Sequence, residues 1–368
     1  MTVRVPIHED RDASYDIHIG RGLLAELPRL IKDRCPAAAY AVLSDSHVGK
    51  LYGQSVTAAL CAAGARAELL TFPAGEWNKT RETWATLSDR MLAHHFGRDA
   101  AVIALGGGVV GDVAGFVAAT FLRGVPYVQV PTSLLAMIDS SIGGKTGVDA
   151  PAGKNLLGAF HQPRLVIADL DVLASLAPVQ LSAGMAEALK HGVIADSEYF
   201  ELLEREHRAV TARDLELLER VVERSVAIKG QVVTRDEREG GVRAILNFGH
   251  TVAHAIEAVA KFEASHGEAV AVGMLIEARL GESLGVTARG TADRIARALE
   301  NYNLPLELPA AATPADLLDA MRHDKKSRDH AVRFAFPERI GAMHREADGA
   351  FTSGAPEAAI LKALGGGD

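Results

Sequence analysis

Three histidines, His250, His254 and His266, stand in the alanine-rich passage LNFGHTVAHAIEAVAKFEASHGEAVAVGM, where they could hold a metal ion or pack as neutral rings. On a helix, residues four apart share a face, so His250 and His254 lie one turn apart. HTVAH lacks the glutamate of H-E-x-x-H, which excludes zinc-protease chemistry. His266 opens a later helical pattern, and a helix hairpin could return it beside His250. Two imidazoles and a carboxylate are a usual catalytic zinc set with a further position open for substrate. The carboxylate has to come from elsewhere. Glu187, in LSAGMAEALKHGV, is the best supplier because it lies mid-helix among alanines, where a bare charge is costly. Lys190 and His191 follow it at i+3 and i+4, on the same face. Residue types alone leave metal binding and satisfied burial both open.

LGGGVVGD, residues 105–112, follows an apolar run and leads into DVAGFVAATFL. Gly106, Gly108 and Gly111 match G-x-G-x-x-G, in which small residues let the backbone approach a pyrophosphate at a helix N-terminus. A dinucleotide fold places an acid about twenty positions later, yet PYVQVPTS has none, and Asp45 lies upstream instead. A nucleotide site and a simple tight turn are both compatible with the loop. In DSSIGGKTGVDAPAGKNLLGAF, Lys145 and Lys154 sit among glycines. A flexible glycine segment carrying lysines suits phosphate capture, and a solvated surface loop is the alternative. GGKT lacks the leading glycine of a Walker A loop, so it is no kinase loop.

These residues must be carried by regular elements. Up to about residue 176, apolar runs (YAVLSDS, RAELLTF, AAVIALGGG, PYVQVPTS, RLVIADLD) alternate with helical patterns such as residues 55–64. Continuous apolar strands alternating with helices predict a mostly parallel sheet covered on both faces. From LAPVQLS onward, QLSAGMAEALKHGVIA, DLELLERVVERSVAIKGQVV, AVAVGMLIEARLGESLG and TADRIARALENY carry apolar residues at three- and four-residue spacing. AVRFAFPERIGAMH reads as a short strand pair that could act as a flap. The fold class expected is an α/β nucleotide-binding domain over residues 1–176 followed by a mainly α-helical metal- and substrate-binding domain over residues 177–368, since 368 residues exceed one ordinary core.

Hydrophobic residues at 48% and charged residues at 23% fit a globular protein with a substantial core. A formal net charge of −8 counts against general binding to nucleic acid or anionic membrane, so an anionic ligand requires a local cluster of cations. MTVRVPIHED is not a secretory signal and no apolar run reaches membrane-spanning length, which predicts a cytoplasmic protein. Cys35 and Cys61 make no disulfide framework.

Taken together, GGGVVGDVAGFVAATFLRGV, VPTSLLAMIDSSIGGKTGVD, GKNLLGAFHQP, SAGMAEALKHG, LNFGHTVAHAIE, SHGEAVAVGM and DKK, in this order, resemble the 3-dehydroquinate synthases, over residues 40–345. The resemblance implies oxidation of a heptulosonate 7-phosphate by bound NAD, expulsion of phosphate, re-reduction and ring closure in the shikimate pathway. It implies that Glu187, His250 and His266 ligate zinc, with cobalt able to replace it. Arg123, Asp139, Lys145, Asn155, Lys190, Lys229, Arg243, Asn247, His254 and Lys325 or Lys326 match substrate-holding positions. Lys145, Asn155, Lys190 and Arg243 count among the catalytic positions, and Glu239 and His254 match proposed proton carriers. Asp45, Glu76, Lys79, Gly107, Gly108, Val109, Asp112, Thr132, Ser133, Lys154, Val172 and Ser175 match NAD-binding positions. An acid upstream of the glycines belongs to this family's nucleotide fold. A homodimer is the assembly the family implies, with a small sugar phosphate as the substrate.

The chain departs from the pattern in small ways. Ser133 stands where threonine is frequent, Val172 and Ser175 replace phenylalanine and threonine, and His191 replaces a tyrosine. His191 could compete for zinc if its helix rotated, although its step from Glu187 favours packing or support of a ligand. Rival activities are another sugar phosphate cyclase and a metal-dependent polyol dehydrogenase. A non-catalytic sensor would not need the lysines.

Overall fold

The computed structural model describes residues 12–151, 153–260, 264–323 and 332–365. Its first half runs β1 (Asp16–Gly20), α1 (Leu23–Arg34), β2 (Ala39–Asp45), α2 (Gln54–Ala62), β3 (Arg66–Phe72), α3 (Arg81–Ala93), β4 (Ala100–Gly106), α4 (Gly108–Thr120), β5 (Tyr127–Pro131), β6 (Lys145–Ala150), β7 (Gly153–Phe160) and β8 (Leu165–Asp169). Six of these strands form one sheet in the order β1-β8-β5-β4-β2-β3, and every neighbouring pair is parallel. β4, AAVIALG, is buried along its whole length, as a central strand covered by helices on both faces must be. The chain leaves β2 outward to β3 and leaves β4 in the other direction to β5 and β8. Strand order therefore reverses between β2 and β4, and the crevice at such a switch point opens beyond their carboxyl ends. Asp45 ends β2 and Gly106 ends β4, so the acid upstream of the glycines faces them across one strand spacing.

The second half runs α5 (Pro178–Ala195), α6 (Ser197–Arg205), α7 (His207–Thr211), α8 (Leu215–Arg235), α9 (His250–Val259), α10 (His266–Leu284), α11 (Thr291–Asn301), α12 (Pro314–His323), β9 (Arg333–Phe334), β10 (Pro337–Arg339), β11 (Ala342–Met343), β12 (Ser353–Gly354) and α13 (Glu357–Ala363). Asp196 accepts from Tyr199 N at 3.0 Å to start α6, and Asp214 accepts from Leu217 N at 3.1 Å to start α8. α10 is the central helix and packs on α5, α9, α11 and α13. Its hydrophobic core continues into the segment after β5 through Leu134 and Met137 and into the end of β8 through Ala168 and Leu170. No helix among the described residues is long and apolar enough to cross a membrane.

Two expectations need correction. The segment carrying Lys145 and Lys154 is no flexible loop: β6 and β7 pair antiparallel, Lys145 opposite Phe160 and Gly147 opposite Gly158. The terminal strand pair forms as β10 and β11, but it is no flap, because Phe334, Ala335 and Phe336 are buried and Gly341 N donates to Val193 O of α5 at 2.8 Å. β1 and the β6–β7 hairpin escaped the sequence reading altogether.

Close approach of α10 to α9 depends on Gly273, where a Cβ would fall 2.0 Å from the Gly249 carbonyl oxygen. Alanine is favoured over glycine inside a helix by about 0.5–1 kcal/mol, whereas forcing atoms into a filled contact costs about 1–3 kcal/mol or more. The clash wins. Gly273→Ala is expected to destabilise the protein by about 2 kcal/mol in chemical denaturation; an unchanged midpoint would show that the two helices can part without cost.

Candidate active site

Glu187 on α5, His250 at the start of α9 and His266 at the start of α10 converge, with one ligand atom from each all within 4.8 Å of one another. Glu187 Oε1 lies 3.6 Å from His250 Nε2 and 3.3 Å from His266 Nε2, while Oε2 meets the Lys190 ammonium. Glu187 is fully buried, and neither of its oxygens has an aligned hydrogen bond. Buried acceptors facing ring nitrogens without aligned donors suit a cation better than a hydrogen-bond network. His250 Nδ1 faces the Phe248 carbonyl at 3.2 Å. A carbonyl only accepts, so the proton sits on Nδ1 and the Nε2 lone pair points inward. Burial, reinforced by Lys190, holds His250 well below the usual histidine range, so its ring is neutral, as a ligand must be. Burial would raise Glu187, but Lys190 and the contacts with His266 and His250 hold it below its ordinary value. Burial would lower His266, yet the carboxylates of Glu187 and Glu257 override it and push it up to about 10.

The ring positions are set by the helix starts. Ser265 and Glu268 form a reciprocal capping box at the start of α10, with Ser265 N donating to Glu268 Oε2 at 2.8 Å and Glu268 N to Ser265 Oγ at 3.4 Å. The start of α9 has no cap of its own. Instead Glu277, buried on α10, accepts from Gly249 N at 2.8 Å and Val252 N at 3.2 Å. A carboxylate there satisfies two open N–H groups and complements the helix dipole. His254 stands one turn from His250, edge-on, with ring centroids 5.6 Å apart.

Behind Glu187, Lys190 and His191 are wholly buried. His191 has no aligned hydrogen bond on either ring nitrogen, and its Nε2 lies 3.7 Å from Asp139 Oδ1. Asp139, Glu187 and His191 thus form a second close group of ligand-type atoms. Burial holds His191 below its ordinary value. Lys229 donates to Asp139 Oδ1 and to its backbone oxygen, both at 2.6 Å. Burial would raise Asp139, but Lys229 and Lys190 hold it well below the carboxylate range. Lys229 already occupies Asp139 Oδ1, the oxygen nearest His191, which disfavours a cation there.

Lys145 leaves β6 half-exposed and pairs with Glu239 Oε2, while Asn247 Nδ2 donates to Glu239 Oε1 at 3.0 Å. Arg243 is buried and donates to the carbonyls of Gly143, at 3.4 Å, and Glu237. Arg123 stands apart, exposed in the turn after the C-terminal end of α4, the opposite end from the glycine loop. Lys325 and Lys326 lie outside the described residues.

On the nucleotide side, Gly107 precedes α4 and Gly108 and Val109 open it, with no side chain capping the turn. Gly111 lets α4 lie against β5, since a Cβ there would meet Gln129 Oε1 at 2.9 Å. Thr132 N donates to Gly106 O at 2.9 Å, and Ser133 Oγ accepts from Ala136 N at 3.3 Å. Asp45 Oδ1 accepts from the N–H groups of His47 and Val48, both at 2.8 Å. Lys79, buried, joins Asp112 Oδ2 and Asn155 Oδ1, both at 2.5 Å. Lys154 Nζ lies 3.5 Å from Glu76 Oε1 and 3.0 Å from Glu257 Oε1. Val172 faces the helical core rather than the crevice, and the Ser175 hydroxyl is engaged with Tyr52, at 2.7 Å, and the Val172 carbonyl, at 3.0 Å.

Glu257, Glu277 and Asp149, whose Oδ1 accepts from Asn155 N at 2.8 Å, were missed in the sequence. The argument that singled out Glu187, a carboxylate stranded on an apolar helix, applies equally to Glu257 and Glu277.

The comparisons extend this picture. A family model described as 3-dehydroquinate synthase N-terminal matches residues 69–183, and one described as 3-dehydroquinate synthase C-terminal matches residues 184–327. A 3-dehydroquinate synthase from Symbiobacterium thermophilum is 50% identical over 331 residues, covering 89% of this chain and 92% of its own. Among solved structures, 2-epi-5-epi-valiolone synthase from Streptomyces hygroscopicus subsp. jinggangensis 5008, with NAD+ and Zn2+ bound, gives a TM-score of 0.88 at 31% identity over 98% of both chains. A 2-deoxy-scyllo-inosose synthase complexed with carbaglucose-6-phosphate, NAD+ and Co2+ gives 0.87 at 27% identity, over 95% of both chains. Matches that run through the sheet and the helices alike, with half the residues identical to a named relative across nearly its full length, make this chain a member of the 3-dehydroquinate synthase family.

Proposed function

We propose that the chain converts 3-deoxy-D-arabino-heptulosonate 7-phosphate to 3-dehydroquinate and phosphate as a phosphate-eliminating lyase, using NAD and a divalent cation, zinc or cobalt. The observation that carries this reading is the convergence of buried Glu187 with the part-buried His250 and His266 beside Lys190 and Lys229. When bound, the cation lowers the pKa of a neighbouring hydroxyl and polarises a carbonyl, while NAD accepts two electrons and returns them, so that turnover has no net redox change.

The protein's own groups do the rest. Lys145, Lys190, Lys229 and Arg243 supply the local positive charge that a phosphate- and carboxylate-bearing substrate needs on a chain of net charge −8. Asp139, Asn155 and Asn247 are the hydroxyl and carboxylate partners in this reading. Lys145 stabilises charge on the departing phosphate, and Glu239, held between Lys145 and Asn247, and His254 carry protons. Asp45, Glu76, Lys79, Gly107, Gly108, Val109, Asp112, Thr132, Ser133 and Lys154 line the dinucleotide, whose pyrophosphate meets the start of α4.

The same reading divides the chain near residue 176 into nucleotide-binding and metal-binding domains and includes a cytoplasmic homodimer. Leu156, Leu157 and Phe160, exposed along β7, whose described ladder partner is β6 alone, support self-association. Supplying the heptulosonate phosphate with catalytic NAD tests the function. Equal yields of phosphate and dehydroquinate, with no lasting NADH absorbance, are expected. Net NADH from a diol would point instead to a polyol dehydrogenase, and preference for sedoheptulose 7-phosphate or glucose 6-phosphate to another cyclase.

A further inference from the structure

Glu257 has no part in the chemistry just described, yet it touches both halves of the site. It lies on α9 two turns beyond His250 and is only 6% exposed. A single oxygen, Oε1, lies 3.2 Å from His266 Nδ1 and 3.0 Å from Lys154 Nζ. A carboxylate only accepts, so Nδ1 of His266 carries a proton, and Nε2, turned toward Glu187 Oε1 at 3.3 Å, is the atom left for a cation. Lys154 in turn lies 3.5 Å from Glu76 Oε1. An unbroken polar chain therefore runs from Glu76 through Lys154, Glu257 and His266 to Glu187, crossing from the β6–β7 hairpin to three helices.

We infer that Glu257 is a positioning residue that couples nucleotide occupancy to cation retention, with Lys154 and His266 competing for its one shared oxygen. The inference rests on the reading that the cation binds at Glu187, His250 and His266 and that Lys154 lines the anionic dinucleotide. An anion that draws the Lys154 ammonium away leaves Oε1 to the imidazole alone. The Nδ1–H bond then strengthens, and the ring becomes a more basic ligand through Nε2, as carboxylates behind ligand histidines make it. The converse follows by linkage: a cation on the ring strengthens its hold on Oε1, releases Lys154 and favours the nucleotide by the same factor.

The test uses the full chain and measures Co2+ affinity by competition with a chelator, with and without saturating NAD+. In the wild type, NAD+ is expected to tighten Co2+ by at least about fivefold, the lower end of ordinary coupling. Glu257→Gln, which keeps the side-chain volume, is expected to weaken Co2+ by about 10–100-fold and to bring the NAD+ effect below about twofold. Lys154→Met separates coupling from mere packing: without NAD+ it is expected to bind Co2+ about as tightly as the NAD+-saturated wild type. A Glu257→Gln protein with wild-type Co2+ affinity and an intact NAD+ effect overturns the inference, as does a wild type whose Co2+ affinity ignores NAD+. A wild type that binds neither Co2+ nor NAD+ overturns the underlying functional reading as well.

Discussion

Glu187→Gln will lose the bound cation and, with it, at least three orders of magnitude in kcat/KM, although the side chain keeps its size. A carboxylate that only supports a ligand histidine is worth about 10–100-fold in metal affinity, and one that ligates directly is worth more. Glu187 is fully buried, and its charge offsets the Lys190 ammonium, itself almost fully buried, as well as His266. Removing one partner of a buried pair costs about 3–5 kcal/mol, so the variant will also unfold earlier. Metal content by equilibrium dialysis distinguishes the two effects, because a merely destabilised protein still binds its cation when folded. The pH dependence has a definite sign. His266 is raised to about 10, so through the neutral range it is protonated in the cation-free protein, and a cation must displace that proton. Wild-type affinity is expected to rise about tenfold per pH unit below that value, because one proton leaves for each cation bound. A variant that keeps a stoichiometric cation removes the metal site from this structure.

Lys145→Ala is expected to leave NAD binding within about twofold of wild type and to lower kcat/KM by about two to three orders of magnitude, the usual loss when one donor to a developing charge is deleted. Lys145 leaves the start of β6 with about half of its side chain exposed. Its loss therefore does little to stability, since exposed ion pairs contribute little. Its ammonium meets Glu239, which also holds Asn247, so the substitution removes the cation while leaving a carboxylate that repels an incoming phosphate. Unchanged phosphate release at saturating substrate would dismiss Lys145 as the phosphate clamp. Loss of NAD binding would assign it to the nucleotide side instead.

Much of this arrangement is legible in residue types. A carboxylate on an apolar helix face needs a counter-charge wherever the helix packs, so Glu187 was readable as a ligand or an ion-pair member before any contact was known. The stretch holding His250, His254 and His266 announced helices through its apolar spacing. By the same reasoning Glu257 and Glu277 were readable, but an acid on an apolar helix face does not by itself say which partner it will meet, and theirs lie on other elements. The hairpin bearing Lys145 and Lys154 was not readable: its glycines resemble those of a flexible loop, and only cross-strand pairing of Gly147 with Gly158 reveals them as part of a ladder.

What the sequence determines by itself is local: apolar strands that demand cover on both faces, helices with their capping residues, and charged groups too costly to leave bare. Proximity was decided elsewhere. Reversal of strand order between β2 and β4 brings Asp45 beside the glycine loop, and the close contact at Gly273 sets the spacing between the helices of His250 and His266. Asp139 meets Lys229 across 90 residues of chain, and Lys154 meets Glu257 across 103. No periodicity spans such distances. The pairings follow from which surfaces pack, since burying apolar area at the helix interfaces is what forces these charges together.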